Sequence, residues 1–363
     1  MSDSTETAAA YRGGMSAEEA KSRVKADTIY KMSSNENPWG PSPDAVAAIQ
    51  QCAAELGVYP PVRDEKLREA LSELYGRGLT PDHFITGNSG CDVLELICRA
   101  YLQEGDSCII CPPAFPFYRL GALAQKATII NVELQRPDFT YDLDGILAAA
   151  NENNPKVVFL CTPNNPTGST LSQADVDYVV ENLPAETLIV FDEVYYHFAE
   201  PDQHPDALRY VLDNQNMIML HSFSKAYGLA GLRLGYGIAN LAITERIASY
   251  RRPYHLNRIA FEAGLAALND QAHLSKTVDM NKTGRDWLYG QLQELGLKVW
   301  PSQSNFLLFQ VEGDPQAMTD QLLERGVLVR PAFGLDDCLR VSVGVPEGNQ
   351  AFIAALTDIL AKE

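Results

Sequence analysis

The stretch KVVFLCTPNNPTGSTLSQADVDYVVENLPAETLIVFDEVYY, residues 156–196, decides the fold. It opens with an apolar run, KVVFLC, that breaks at a turn of Pro, Asn and Gly. SQADVDYVVENL follows with apolar residues at helical spacing, and a second apolar run, LIVFDE, closes the unit. Strand, crossover helix and strand is the pattern of two parallel strands with a helix on one face. Both runs are apolar throughout rather than alternating, so these strands are buried on both faces.

Working outward, the same unit recurs. SCIIC (107–111), ATIINVEL (127–134), MIMLHSFS (217–224) and LGYGIA (234–239) read as further strands, and DVLELICRAYLQ (92–103) and PDALRYVLDN (205–214) as helices between them. This predicts the α/β class: a large domain with a mostly parallel central sheet flanked by helices. After Asn240 the order changes. Helices run through 241–252, 258–270 and 273–296, followed by KVWPSQSNFLLFQV, a helix near 314–326, VLVRP, LRVSVG and a last helix at 348–362. That is a smaller α+β C-terminal domain. The expected division is an N-terminal arm over 1–41, a large domain over 42–260 and a small domain over 261–363, with part of the arm returning to the small domain. The first ten residues are polar and expected to be disordered. No internal repeat is visible.

The chain has 363 residues, 46% of them hydrophobic, and a formal net charge of −18. Such a surface repels a polyanion, so nucleic acid is not an expected partner. An anionic metabolite binds only where a few Arg or Lys converge. MSDSTETAAAYRGG at the start lacks the basic and apolar regions of a secretion signal, and no run approaches the ~20 apolar residues of a membrane span. The expected location is the cytoplasm. Cys52, Cys91, Cys98, Cys108, Cys111, Cys161 and Cys338 make an odd set, read as free thiols. Cys108 and Cys111 have C-x-x-C spacing, but residues three apart on a strand face opposite sides. They read as core cysteines, and no metal site is expected.

In an open parallel sheet, ligands bind at the carboxyl ends of the strands. Four polar motifs fall there. FITGNSGCD puts Asn88, Ser89, Gly90 and Cys91 between a strand and a helix, where small residues and free N–H groups suit an oxyanion. TPNNPTG is a rigid turn that aims Asn165. LIVFDEVYY leaves Asp192 after an apolar strand, where a carboxylate is costly without a cation, and Tyr195 three residues on. HSFSKAYGLAGLR places Lys225 beside Ser222 and Ser224, eight residues before Arg233. Each motif alone is compatible with a turn or cap. Together they meet the needs of pyridoxal 5′-phosphate: an amine for its aldehyde, a carboxylate for its ring nitrogen, donors for its phenolate oxygen and an anion site for its phosphate.

The order Asn-Pro-Thr-Gly, Asp-Glu-x-Tyr and Ser-x-Ser-Lys, with Arg eight positions later, resembles the class I/II aminotransferases of fold type I over nearly the whole chain. Within that class, SSNENPWGPSP (33–43), VYP (58–60), GVLVRP (326–331) and LRVSVG (339–344) resemble the histidinol-phosphate aminotransferase branch. The resemblance implies Lys225 as Schiff-base lysine and proton shuttle and Asp192 as partner of the ring nitrogen. Asn165 and Tyr195 would contact the phenolate oxygen. Ser222, Ser224 and Arg233, with the turn at Ser89, Gly90 and Cys91, would hold the phosphate, and Phe115 would stack on the ring. Arg340 would grip the substrate α-carboxylate, and Arg330 would meet its anionic far end. Asn37 and Tyr11 would line the substrate site. Tyr59 would reach the cofactor phosphate of a neighbouring subunit, which implies a homodimer with shared active sites.

Histidinol phosphate with 2-oxoglutarate is the expected substrate pair. The sequence departs from the branch in three places: RPAFGLDDCLR (330–340) is short and lacks a Gly-Tyr-Gly, the cup reads Asn-Ser-Gly-Cys-Asp, and His255 stands where Asn is frequent. Aromatic or other amino acids therefore stay open as donors, as does decarboxylation of the threonine-phosphate type. A non-catalytic binding protein on the same fold is disfavoured by the retention of Lys225, Asp192 and Arg233.

Overall fold

The computed structural model describes residues 14–26 and 28–362. Tyr11 and the polar first ten residues lie outside the described residues. Twelve strands are assigned among those described. Eight come first: β1 (Tyr30–Lys31), β2 (Phe84–Gly87), β3 (Ser107–Ile110), β4 (Thr128–Asn131), β5 (Val157–Cys161), β6 (Leu188–Asp192), β7 (Met217–Ser222) and β8 (Gly235–Ala239). β9 (Phe306–Gln310), β10 (Val327–Leu328), β11 (Arg330–Pro331) and β12 (Cys338–Ser342) follow.

The central sheet has the order β2-β8-β7-β6-β5-β3-β4. β4, β3, β5, β6 and β7 run parallel, and β8 is antiparallel to both β7 and β2. The reversal follows from the connection between β7 and β8, which holds only a short turn of 3-10 helix and no crossover helix. β5, β6 and β7 are buried along their whole length, as their unbroken apolar runs require. Two apolar layers cover the two faces of the sheet. One contains Ile109, Val158, Phe191 and Met219, the other Cys108, Phe159, Val190 and Leu220. Cys108 and Ile109 thus face opposite layers, and all seven cysteines are unpaired.

The crossover helix Gln173–Asn182 starts at Ser172, whose hydroxyl accepts from Asp175 N while the Asp175 carboxylate accepts from Ser172 N. This reciprocal cap satisfies two otherwise unpaired donors and fixes where the helix begins. The segment 205–214 forms only a short helix, Leu208–Leu212. Pro205 precedes it, and Asn214 at φ 57 turns the chain out of it.

In the C-terminal part, β12 pairs antiparallel with β9 and β11, backed by a separate core of Leu307, Phe309, Val341 and Phe352. The arm joins this part: Tyr30 and Lys31 pair in parallel with Val327 and Leu328. A helix not expected from the sequence, Ala17–Arg23, is capped by Ser16 and buries Ala20 beside Leu323 and Leu328. The helix Arg258–Asn269 runs through residue 260 and packs on the helices Pro43–Cys52 and Glu65–Tyr75. A boundary at 260–261 therefore cuts a continuous element that lies against the N-terminal helices of the large part.

Candidate active site

The carboxyl ends of β5, β6 and β7 lie side by side and deliver Asn165, Asp192, Ser222 and Lys225 to one cavity of about 370 Å³. Gly90, Cys91, Phe115, Tyr195, Ser224, Arg233, Arg330 and Arg340 also line it. Most of the residues expected at the site therefore meet at one place.

Lys225 sits on the turn after β7. Its Nζ donates to Ser34 O at 3.2 Å and stands 5.6 Å from the Tyr195 ring centre. Burial, reinforced by the Arg340 and Arg233 charges, lowers its pKa from 10.5 to about 8. With that value about a tenth of the side chain is free amine at pH 7, far more than in an ordinary lysine, and the free amine is what condensation with a carbonyl needs.

Asp192 is the last residue of β6 and is 4% exposed. Burial raises its pKa from 3.8 to about 6, against hydrogen bonds from Tyr118 and the Val194 N–H that favour the carboxylate. Tyr118 donates to Asp192 Oδ2 at 2.6 Å and stacks on Phe159. A buried acid with this pKa is suited to a cationic partner, which restores its charge.

The next residue, Glu193, points to the other side of the sheet. Its carboxylate meets His221 Nε2 at 2.9 Å and His204 Nε2 at 2.8 Å. Burial pushes this carboxyl up, yet the two imidazoles more than offset that and leave it below its ordinary value. His221 precedes Ser222 on β7. The Glu193–His221 contact therefore ties the ends of β6 and β7 where Asp192 and Ser222 face the cavity.

The anion seat is built by the turn into the helix Gly90–Tyr101. Ser89, at φ 109, caps the helix by accepting from Asp92 N. Asp92 Oδ2 accepts from Asn88 N at 2.7 Å. Gly90 and Cys91, which line the cavity, stand in the first turn of this helix, where backbone N–H groups have no intrahelical acceptor and the helix dipole is positive. β8 passes tightly beneath: a Cβ at Gly235 would lie 2.3 Å from Gly90 N. Arg233, at φ 57, donates to Ser224 Oγ at 3.4 Å and to Ala230 O at 3.1 Å. A non-glycine residue in this left-handed region is strained, and such strain clusters where function fixes a side chain. Ser222 Oγ accepts from Ser224 N at 3.1 Å.

On the opposite wall, Arg340 donates to Asn165 Oδ1 at 2.6 Å and to Ser33 O at 2.7 Å. Asn165 Nδ2 reaches Tyr195 OH at 3.4 Å. Arg330 and Arg340 are direct cross-strand partners on β11 and β12. Arg330 Nε is buried with no hydrogen-bond partner among the described residues. Phe333 stands against both guanidiniums, at 5.1 Å and 5.3 Å. Phe115 lines the cavity and stacks on Phe117.

Two expected residues, Ser89 and Asn37, are absent from the cavity lining, Ser89 being taken up in capping the helix Gly90–Tyr101. Asn37 does not line the cavity: its Nδ2 donates to Ala226 O at 3.0 Å and its Oδ1 accepts from Trp39 N. Asn35, two residues earlier, holds the site instead, donating to Tyr195 OH at 3.0 Å and accepting from Ser342 Oγ. Tyr59, expected at the cofactor of a neighbouring subunit rather than at that of its own chain, is 75% exposed, stacks on Tyr254 and does not reach the cavity of its own chain. Sequence reasoning missed Tyr118, Asn35, Glu36 and Phe333. Tyr118 was findable, since it lies one helical turn after Phe115 and shares its face. The others are fixed by contacts between distant segments.

The residues present fit pyridoxal 5′-phosphate. A lysine of lowered pKa, a buried acid with no ion pair among the described residues, a helix N-terminus beside Arg233, and an aromatic wall surround a single cavity. This fold and site define a pyridoxal-phosphate enzyme of the aminotransferase kind. The family model for aminotransferase class I and II matches residues 27–356, and the chain belongs to that family. It is similar over 97% of its length to histidinol-phosphate aminotransferases from Moorella thermoacetica, at 38% identity and 90% of that relative, and from Symbiobacterium thermophilum, at 39% identity and 96% of that relative. The crystal structure of histidinol-phosphate aminotransferase from Sinorhizobium meliloti in complex with pyridoxal-5′-phosphate superposes with a TM-score of 0.89 at 26% identity, covering 97% of this chain and 96% of that one.

Proposed function

We propose that this chain transfers the amino group of histidinol phosphate to 2-oxoglutarate, using pyridoxal 5′-phosphate held on Lys225. The cofactor supplies an aldehyde that takes up an amino group and a ring that accepts electrons from the substrate. Everything else falls to the chain. Asp192 would hold a proton on the ring nitrogen, and its own raised pKa is the sign that a cation belongs beside it. Asn165 and Tyr195 would donate to the phenolate oxygen. Gly90, Cys91, Ser222, Ser224 and Arg233 would seat the phosphate, and Phe115 would cover the ring face. The Lys225 amine would take the proton from the substrate Cα and later return one.

The observation that carries the substrate assignment is the pairing of Arg330 with Arg340 across two strands of one cavity wall. A phosphate monoester carries a charge of about −1.5 to −2 at neutral pH and three acceptor oxygens. Two adjacent guanidiniums match it. The same pair serves the carboxylates of 2-oxoglutarate in the second half of the cycle. The histidinol-phosphate aminotransferases among the relatives support the same reading.

The working unit in this reading is a homodimer. Leu56, Val58, Tyr59 and Val62 are 53%, 65%, 75% and 55% exposed, an apolar run that a partner would cover. Arg258 holds it in place by donating to Tyr59 O at 3.1 Å. Tyr59 of the partner subunit would then complete the phosphate seat. The seven unpaired cysteines suit a reducing compartment, the cytoplasm.

The test is a donor screen. Purified yellow enzyme is mixed with histidinol phosphate, Phe, Tyr, Glu and Asp, and the visible cofactor absorbance is followed. Rapid bleaching by histidinol phosphate and glutamate supports the assignment. Bleaching by Phe or Tyr with no response to histidinol phosphate rejects it.

A further inference from the structure

Histidinol phosphate carries three groups to be recognised: an amine, a phosphate and an imidazole ring. Lys225 takes the amine and the two arginines take the phosphate, which leaves the ring without a partner. Of the groups that line the cavity, one charged side chain remains unassigned. Glu36 is the only carboxylate other than Asp192 among the described residues of that lining.

Its setting is prepared on every side. Asn35 before it is fixed by its N–H to Ser342 Oγ at 2.8 Å and by Asn305 Nδ2 to its carbonyl at 3.0 Å. Asn37 after it is fixed to Ala226 O. The carboxylate itself is turned by Lys31, whose Nζ donates to Glu36 Oε1 at 2.8 Å. Oε2 takes no hydrogen bond from the described residues, so one acceptor is left for a ligand. The Lys31 and Glu36 side chains are 24% and 43% exposed, and an ion pair so open to water adds little to stability. Its effect is to orient the carboxylate. Glu36 lies two residues after Ser34, whose carbonyl accepts from Lys225 Nζ, and its charge favours the ammonium form of Lys225.

We propose that Glu36 determines specificity for the ring: its carboxylate accepts the imidazole N–H of the amino donor, with Lys31 holding it in position. This rests on the substrate assignment above. A carboxylate acceptor makes a stronger hydrogen bond than a neutral one, the more so when the ring is protonated. It also discriminates against donors whose side chain is hydrocarbon, since the charge would then be covered without a partner.

The experiment compares kcat/KM for histidinol phosphate with that for 2-aminopropyl phosphate, which has the same amine and phosphate ester and no ring. In Glu36→Gln the ratio of the two falls about tenfold, equivalent to about 1.4 kcal/mol, and Glu36→Asp recovers part of it. An unchanged ratio overturns the proposal. Lys31→Met loosens the carboxylate without removing it and lowers the same ratio by a smaller factor. That variant decides the matter if Glu36→Gln does not fold, and an unchanged ratio there overturns the proposal equally. If the wild-type enzyme fails to use histidinol phosphate, the substrate assignment itself is wrong. If it uses that substrate and the ratio is insensitive to both positions, only the role of Glu36 is wrong.

Discussion

Arg330 lies directly opposite Arg340 across the β11–β12 pair, and Phe333 touches both guanidiniums at 5.1 Å and 5.3 Å. Like charges facing each other across strands cost ~0.2–1 kcal/mol. The arrangement is therefore a stability defect that an anion removes. Replacing Arg330 by Met should leave the melting temperature of the free enzyme unchanged or slightly higher. The same change should raise KM for histidinol phosphate ten- to a hundredfold, the ~1.5–3 kcal/mol of a charge-assisted hydrogen bond, with a smaller effect on kcat. Thermal unfolding and steady-state kinetics on one preparation check both halves.

Loading of the cofactor reports the state of Lys225. Below its pKa of about 8 the side chain is an ammonium without a lone pair, and above it the free amine attacks the aldehyde. The rate of colour development when apoenzyme meets pyridoxal 5′-phosphate should rise with pH, with a midpoint near 8. A midpoint near the ordinary lysine value of 10.5 would show that burial does not tune the amine.

Tyr118 tunes Asp192. Its hydrogen bond favours the carboxylate, so Tyr118→Phe raises the Asp192 pKa further. Activity then falls more at pH 6 than at pH 8, because the acid form cannot hold a proton on the ring nitrogen as a cation's partner. The acid limb of the kcat profile moves to higher pH. An unmoved limb with a uniformly lower rate would mean that Tyr118 only fills space.

In the proposed dimer, Tyr59 would divide two roles between ring and hydroxyl. Tyr59→Phe keeps the apolar surface and the stack on Tyr254, so sedimentation should show the same proposed dimer for the variant as for the wild type. Loss of the hydroxyl should weaken cofactor retention several-fold, measured by colour remaining after extended dialysis. Full retention would remove Tyr59 from the phosphate seat.

Gly235 is required by close approach. An Ala there places Cβ 2.3 Å from Gly90 N, a backbone atom that cannot swing aside. Gly235→Ala should cost ~1–3 kcal/mol of stability and lower affinity for cofactor, since the shifted atom is part of the anion seat. Denaturant melts and cofactor titration test the two effects together.

The large sheet was legible because its strands are buried on both faces and carry continuous apolar runs. The positions that meet in the cavity were legible because strand ends are marked by abrupt polar residues, Asn165, Asp192 and Lys225. What escaped was set by tertiary contact. The antiparallel β8 depends on a connection too short for a crossover helix. Asn35 rather than Asn37 reaches Tyr195 because the arm pairs with β10 and is pinned by Ser342 and Asn305, and nothing in SSNENP says which Asn faces inward. The opposition of Arg330 and Arg340 is a matter of strand register, which the intervening loop fixes. Phe333 follows from the same loop.

The central claim is that Lys225 is the residue that carries the cofactor. Holoenzyme reduced with borohydride, digested and mapped by mass spectrometry should show the pyridoxyl group on the peptide containing Lys225, and Lys225→Ala should show none under the same treatment. A pyridoxyl group on another lysine, or equal labelling of the variant, would contradict the account.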